Sequence, residues 1–292
     1  MTARVLSPYM LGVSAVFGLA VVAQTAPQAG QKSALVTVVA EAGGPIKDLT
    51  ARDFVVMEDK TRREVVGAEL ATEPLFISVL VDTTQPPMGV QPPTRDLRVG
   101  LSTFVKTIQA AIPESEVALM EFAGAAVTTV DFTKNAEQLD KAIQRLFPNQ
   151  QSAAVLLEAL TDAGKKVAAR PAPRRAIVSV DFRSQDTSGE QAMKRTAEEV
   201  HKSGATVWAI SIGNASSAPA REAVLNTVTQ SSGGLRLTAF EASALEGLLK
   251  QVANSLLSQY TVTFARPDNS PVKPVKLETT RGAKVLMSPW MR

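Results

Sequence analysis

Cysteine is absent from this chain of 292 residues, and only one histidine is present. The absence of cysteine excludes a disulfide framework, a lipid-modified cysteine and a zinc site built from cysteine. The lone His201 lies beside Lys202 near the end of a predicted helix, where a positive group is favourable, so we interpret it as a surface residue. A catalytic triad that depends on histidine has no other candidate.

The chain also has little net charge and few tryptophan and tyrosine residues. The formal net charge is only +3, and the chain has two tryptophans and two tyrosines. A protein that binds nucleic acid through a basic surface with stacking aromatics is therefore not indicated. Hydrophobic residues make up 45% and charged residues 20% of the chain, which is typical of a folded globular protein with one large domain and a smaller one.

The N-terminal segment has the pattern of a secretory signal peptide. Arg4 precedes an apolar stretch at residues 10–23, and the small residues Val21 and Ala23 suit cleavage after residue 23. This stretch is shorter than the roughly 20 residues of a membrane-spanning helix; an uncleaved anchor is the alternative. We therefore predict a signal peptide at residues 1–23, a secreted or periplasmic location, and no stable membrane insertion after cleavage.

The rest of the chain divides into three parts. After a polar spacer at residues 24–32, strand and turn patterns at residues 33–70 predict a small β unit with too little core to stand alone. Residues 74–259 alternate buried strands with amphipathic helices, which predicts an α/β domain with a doubly wound, mostly parallel sheet and helices on both faces. Residues 260–292 contain late strands that we expect to pair with the first β unit.

Local signals predict individual elements of the α/β domain. Residues 95–112 have the spacing of an amphipathic helix, and residues 117–122 and 127–130 are strands close enough to form a hairpin. Asn135 and Ser152 each stand where a side chain can cap a following helix.

Two buried strands of this domain end on an aspartate. Residues 75–82 are apolar apart from Ser78 and end at Asp82, and residues 175–181 repeat the design and end at Asp181. Polar groups at the carboxyl ends of strands lie where open α/β sheets bind ligands. If the two strands are adjacent, their carboxylates repel each other unless a cation, a proton or hydrogen-bond donors compensate.

These motifs resemble the von Willebrand factor type A domain. The likeness is carried by the Asp-x-Thr sequence at Asp82, the early hairpin, the helix expected after Ser152 and the strand ending at Asp181. In addition, residues 46–59 are similar to the N-terminal segment of type A related proteins described from Acidobacteria. The resemblance covers most of residues 33–292. It implies a Rossmann-like sheet whose edge carries a metal-ion-dependent adhesion site, in a non-enzymatic protein-interaction domain.

The metal ligands of that family follow a pattern: Asp-x-Ser-x-Ser after the first strand, a threonine at the third helix and an aspartate after the fourth strand. The corresponding positions here are Asp82, Thr84, Pro86, Ala154 and Asp181. Pro86 and Ala154 have no side-chain oxygen, which Mg²⁺ prefers as a ligand. The resemblance thus implies a degenerate site for Mg²⁺ or Mn²⁺ at Asp82, Thr84 and Asp181, with Ser152 as a candidate substitute ligand.

Two ways of binding a protein or peptide at this edge stay open. A metal ion could bridge to an acidic residue of the partner, or the loops at residues 83–94 and 183–189 could make a metal-free contact. The prolines of the first loop favour the metal-free contact, because they stiffen the loop and leave few coordinating groups. An envelope scaffold protein without a metal is a further alternative. The residues that we expect to contact a partner are Thr83, Gln85, Arg183 and Ser184.

An aspartate-dependent phosphotransfer enzyme is the remaining alternative, since a carboxylate such as Asp82 can act as a nucleophile. One such family has a second aspartate where Thr84 stands here. Residues 211–216 also lack the glycine spacing and the lysine of a phosphate-binding loop. We therefore predict that the protein is not an enzyme.

Overall fold

The structure is a computed structural model that describes residues 29–41, 43–86, 88, 90–150, 153–171, 174–214, 219–267 and 273–291. The predicted signal peptide and Ser152 lie outside the described residues. Within these ranges, no helix is both long and apolar enough to cross a membrane.

The described residues form fifteen strands and six α-helices. The strands are β1 (Ala29–Val39), β2 (Phe54–Glu58), β3 (Thr61–Arg63), β4 (Val65–Leu70), β5 (Leu75–Asp82), β6 (Glu116–Phe122), β7 (Ala126–Thr133), β8 (Ala153–Ala154), β9 (Arg174–Asp181), β10 (Gln185–Asp186), β11 (Thr206–Ile212), β12 (Arg236–Ala239), β13 (Gln259–Pro267), β14 (Val275–Thr279) and β15 (Lys284–Met291). The helices are α1 (Thr94–Ala111), α2 (Ala136–Gln144), α3 (Leu156–Ala168), α4 (Glu190–Ser203), α5 (Pro219–Ser231) and α6 (Leu245–Leu256).

A six-stranded sheet in the order β12-β11-β9-β5-β6-β7 forms the centre of the α/β domain. Its neighbouring strands are parallel except for the β6–β7 hairpin, which is antiparallel as predicted. Side chains of α1, α2 and α6 pack on one face of the sheet, and side chains of α3, α4 and α5 pack on the other. The predicted doubly wound fold with helices on both faces is confirmed.

The central strands are apolar on both faces because both faces are covered. In β5, Ile77 and Val79 enter the core beneath α1 and α6, whereas Leu80 enters the core beneath α3. This is the consequence of side chains that alternate between the faces of a strand.

The N-terminal and C-terminal strands form one small β unit, as expected. One of its sheets has the order β15-β1-β13-β4 and the other has the order β14-β2-β3. Both sheets contribute to a shared core, in which Phe54 and Tyr260 are in edge contact at 5.7 Å between ring centroids. The hydroxyl of Tyr260 also accepts a hydrogen bond from the backbone N–H of Leu49 at 3.1 Å.

Arg174 joins this unit to the amino end of the parallel sheet. Its side chain is 1% exposed and donates to the carbonyls of Ala71 at 2.8 Å, Glu73 at 2.7 Å and Leu256 at 2.6 Å. A fourth hydrogen bond reaches the side-chain oxygen of Gln259 at 3.3 Å. A single guanidinium thus connects the start of β9 to the segment before β5 and to the junction of α6 with β13.

Several element boundaries differ from the sequence-based prediction. The helix expected after Ser152 begins at Leu156 with Val155 in the N-cap position, so the prediction that Ser152 caps it is wrong. The intervening Ala153–Ala154 pairs with β10 as a short parallel strand instead. Residues 29–32, predicted as spacer, belong to β1. The predicted Asn135 cap is confirmed, since its side chain accepts from the N–H of Gln138 at 3.0 Å.

Candidate functional site

Asp82 and Asp181 lie side by side at the carboxyl-end edge of the sheet. They end the adjacent parallel strands β5 and β9, whose preceding residues Val81 and Val180 are paired. Asp82 is 2% exposed and Asp181 is fully buried. The expected proximity is confirmed, and it places two carboxylates in a region with little water.

The side chain of Asp82 accepts four hydrogen bonds. One carboxylate oxygen accepts from the N–H of Thr84 at 2.9 Å and from its hydroxyl at 2.6 Å. The other accepts from the N–H of Phe182 at 3.0 Å and from the hydroxyl of Ser184 at 2.9 Å. Because a carboxylate has about four lone-pair sites, protein donors satisfy this group.

Asp181 is satisfied by a different set of groups. Its oxygens accept from the N–H of Arg183 at 3.1 Å and from the hydroxyl of Ser211 at 2.7 Å. Burial raises the pKa of Asp181, while the positive charge of Arg221 and the Ser211 hydrogen bond act in the opposite direction.

Arg221, in the first turn of α5, brings a positive charge to this edge. Its guanidinium nitrogens lie 3.7 Å from an oxygen of Asp181, 3.8 Å from Asp186 and 3.5 Å from Glu222. One of them donates to the carbonyl of Ser184 at 3.0 Å. The Arg221 side chain is 1% exposed, so this is a buried ionic network.

No sequence motif predicts a role for Arg221, Asp186, Glu222 or Arg236 at this edge. Arg236 pairs with Glu222 and donates to Ser211 at 3.0 Å. One signal was available for Arg221. An arginine in the first turn of a helix faces the positive end of the helix dipole, which is unfavourable unless anions lie nearby.

The residues at this edge do not fit a divalent metal ion. The Thr84 hydroxyl, expected as a ligand, donates to Asp82, and Pro86 has no side-chain oxygen. Even the backbone carbonyl of Ala154 is in use, accepting from the N–H of Thr187 at 3.0 Å. Within the described part of the chain, no cluster of three or more histidine or acidic side chains has an arrangement that could hold a metal.

A groove of about 750 Å³ lies at this edge, and Asp82 is one of the residues that line it. The loop between β5 and α1 forms one wall, and the segments after α2, β9, β11 and β12 form the rest. Four lining residues are exposed apolar side chains: Met88, Val90, Phe147 and Phe240. The guanidinium of Arg98 lies 4.4 Å from the ring centroid of Phe147, and this contact supports the exposed ring.

The predicted contact residues all line this groove, but they differ in exposure. Gln85 is exposed and Arg183 is partly exposed, whereas Thr83 is 5% exposed. The hydroxyl of Ser184 is engaged with Asp82. Arg183 has a φ of +54°, a strained conformation for a residue other than glycine, and its N–H is thereby directed to Asp181.

Comparisons with known proteins agree with this architecture. The model of the von Willebrand factor type A domain matches residues 91–254. A search of curated proteins found no match. The matched segment runs from the loop before α1 into α6 and therefore includes most of the parallel sheet and its helices.

Solved structures share the fold at low sequence identity. A von Willebrand factor type A protein from Catenulispora acidiphila is 11% identical, with a TM-score of 0.55 over 92% of this chain and 74% of that one. Proximal thread matrix protein 1 from the mussel byssus, with a zinc-occupied metal-ion-dependent adhesion site, is 14% identical, with a TM-score of 0.52 over 68% of this chain and 49% of that one.

The domain of the type V pili tip protein Mfa5 from Porphyromonas gingivalis is 15% identical, with a TM-score of 0.50 over 64% of this chain and 96% of that one. The match to the byssus protein spans about half of that protein's length. These likenesses show a common fold. Zinc is recorded for the byssus protein, whose site is occupied.

Proposed function

Because this chain belongs to the von Willebrand factor type A family, whose model matches more than half of its length, we propose that it is a non-enzymatic protein-interaction domain. It binds a protein or peptide in the groove at the carboxyl-end edge of the sheet. The contact is made by side chains of the loops, without a bridging metal ion.

The observation that carries this proposal is the exposed apolar surface of the groove. Soluble proteins seldom expose contiguous apolar patches, and those that exist mark binding sites. Four of the large hydrophobic side chains that are exposed in the described residues lie in this one groove. Pro86, Pro92 and Pro93 stiffen its wall, which lowers the entropy lost when a partner binds.

The charge of the groove indicates the chemistry of its ligand. Among the described lining residues, only Asp82 and Arg183 are charged, and Asp82 is buried and fully hydrogen-bonded. Arg183 therefore presents the accessible charge, and Gln85 is an exposed polar group of the same groove. We expect the ligand to be an apolar peptide segment that carries a carboxylate opposite Arg183. Thr83 and Ser184 also line the groove.

The same burial supports a role without catalysis. A nucleophilic carboxylate needs a free oxygen that faces its substrate, whereas both oxygens of Asp82 accept two hydrogen bonds each. For its location, we propose a secreted or periplasmic protein. The signal-like residues 1–23 support this, as do relatives that are a pilus tip protein and a byssus matrix protein.

A peptide-display selection on the purified chain tests the proposed function. We expect enriched peptides to combine apolar residues with an acidic residue and to bind equally in EDTA and in Mg²⁺. Phe240→Ala should weaken binding about tenfold or more, as loss of a central aromatic contact does. Arg183→Met should weaken the binding of acidic peptides and leave the binding of their amide analogues unchanged.

Val66→Ala is the matched control, because Val66 is an exposed apolar residue in β4 of the small β unit. Its affinity should equal that of the unmodified chain. Peptides whose binding is unchanged by Phe240→Ala would locate the contact elsewhere and contradict the proposal. Hydrolysis of a generic phosphate ester that disappears in Asp82→Asn would contradict its non-enzymatic part.

A further inference from the structure

The carboxyl-end edge contains three acidic side chains that are buried. Asp82 is 2% exposed and Asp181 is fully buried, and the side chain of Asp186 is 3% exposed, although this residue as a whole is partly exposed. Burial without compensation strongly disfavours ionised carboxylates, and mutual repulsion adds to this cost. Hydrogen-bond donors satisfy Asp82, but Asp181 and Asp186 also have a guanidinium beside them.

We infer that Arg221 supplies, within the protein itself, the positive charge that a divalent ion would otherwise supply at this edge, so that the edge is assembled without metal. This inference rests on the metal-free form of the proposed function. Its guanidinium lies between Asp181 at 3.7 Å and Asp186 at 3.8 Å. It therefore bridges two segments, the end of β9 and the short strand β10, as a bound cation would.

The contacts of Arg221 also connect it to the second aspartate. It donates to the carbonyl of Ser184 at 3.0 Å, and the hydroxyl of the same Ser184 donates to Asp82 at 2.9 Å. Arg221 thus orients Ser184, which binds Asp82, while its positive charge offsets the negative charge of Asp181.

The location of Arg221 in the chain is consistent with this role. A positive side chain in the first turn of a helix is unfavourable, and α5 begins at Pro219, two residues before it. The nearby anions Asp181, Asp186 and Glu222 offset that penalty. A divalent ion placed between the aspartates would also be repelled by the guanidinium, which reduces its affinity.

Thermal unfolding of the purified chain in EDTA and in millimolar MnCl₂ or MgCl₂ tests the inference, together with calorimetric titration of MnCl₂. We expect the unmodified chain to show the same Tm in all three buffers and no saturable Mn²⁺ binding. Arg221→Met should lower Tm by about 10 °C in EDTA, since it leaves buried carboxylates without their cation. Mn²⁺ should then restore part of this loss.

Arg174→Met is the matched control, because Arg174 is equally buried but binds carbonyls and an amide oxygen. It should lower Tm with no response to Mn²⁺. If Arg221→Met does not fold, the double variant Arg221→Met with Asp181→Asn, which removes both charges, should recover a cooperative transition. Arg221→Lys, which keeps the charge, should remain insensitive to the ion.

Saturable Mn²⁺ binding to the unmodified chain that is lost in Asp181→Asn would overturn the inference. So would a folded Arg221→Met whose Tm is the same in EDTA and Mn²⁺, or a double variant that recovers nothing. No peptide is present in these measurements. A failure of peptide binding would therefore contradict the proposed function and leave the role of Arg221 unaffected.

Discussion

Arg174 and Arg221 are both almost completely buried, at opposite ends of the parallel sheet, and their partners differ in kind. At the amino end, Arg174 donates to carbonyls of Ala71, Glu73 and Leu256. At the carboxyl end, Arg221 lies among carboxylates. The first arrangement satisfies backbone groups at a junction, whereas the second balances charge beneath the carboxyl-end edge.

The neutral partners of Arg174 have an electrostatic consequence. Burial lowers the pKa of Arg174 to about 10, and the charge of Glu73 opposes this only in part. The arginine is thus retained at an electrostatic cost, because its planar donors reach several carbonyls at once. We interpret the amino end as a structural junction between the two parts of the chain.

The two ends also differ in what covers them. The small β unit approaches the amino end closely: a Cβ at Gly233, whose φ is +72°, would lie 2.2 Å from the carbonyl oxygen of Met287 in β15. The carboxyl end instead has an open groove with exposed apolar side chains. The amino end is therefore covered, whereas the carboxyl end is open where we propose that a partner binds.

Arg174→Met should have the largest effect on the free energy of unfolding, a loss of about 3–5 kcal/mol, since it leaves several buried carbonyls without a donor. Urea unfolding measures this loss. Arg62→Met, at an exposed arginine of β3, should change stability by less than about 0.5 kcal/mol. Equal losses of unfolding free energy in the two variants would contradict the interpretation of Arg174 as a structural junction.

Asp82→Asn should cost about 2–3 kcal/mol, because the amide nitrogen of asparagine would face N–H and hydroxyl donors. The four bonds to Asp82 are the reason for this size. Asp140→Asn is the control, as Asp140 accepts one hydroxyl bond from Ser102, and it should cost about 1 kcal/mol or less. If urea unfolding showed no loss of stability for Asp82→Asn, this result would contradict the four hydrogen bonds that Asp82 accepts.

Gly233→Ala should destabilise the protein by about 1–2 kcal/mol, through its positive φ and the contact with Met287. The control is Gly247→Ala, since Gly247 lies in α6 with no atom near its Cβ position. That change should stabilise the helix by about 0.5–1 kcal/mol. We therefore expect thermal unfolding to show a loss of stability for Gly233→Ala and a gain for Gly247→Ala. No change in stability for Gly233→Ala would argue against close packing at the amino end.

Asp53, in the small β unit, should produce a weaker effect that depends on pH. A hydrogen bond from the N–H of Thr50, followed by one from Arg281, lowers the pKa of Asp53 to about 2. A depressed pKa stabilises the folded state above the unfolded value of 3.8, and this contribution is lost as the pH falls through about 2.

Carboxyl-carbon NMR titration should therefore give Asp53 a midpoint near pH 2. Asp53→Asn should make unfolding less dependent on pH in this window, whereas Asp140→Asn, far from Thr50 and Arg281 in sequence, should not. A normal midpoint for Asp53 would show that this carboxylate does not contribute to acid sensitivity.

Much of the fold could be predicted because it depends on local periodicity. The apolar runs of β5 and β9 indicate strands covered on both faces, and the helical spacing of α1 indicates one apolar side. Asn135 predicts its helix because capping is a contact between residues three apart. The helix after Ser152 was misplaced because pairing of Ala153–Ala154 with β10 is a distant interaction.

The site could be predicted only in part for the same reason. Asp82 and Asp181 were found because each ends a recognisable strand. Arg221 is 40 residues from Asp181 in the sequence, on a helix whose apolar pattern is weak. No local motif links it to that carboxylate, and its proximity follows from how α5 packs on the sheet.

The sequence by itself determined the alternation of strands and helices, the two aspartates at the strand ends, and the lack of oxygen at Pro86 and Ala154. These are properties of single residues and of short-range periodicity. Only the tertiary structure decided how the aspartates are compensated, because donors and a guanidinium from separate segments converge there. It also decided that exposed apolar loops meet over this edge in one groove.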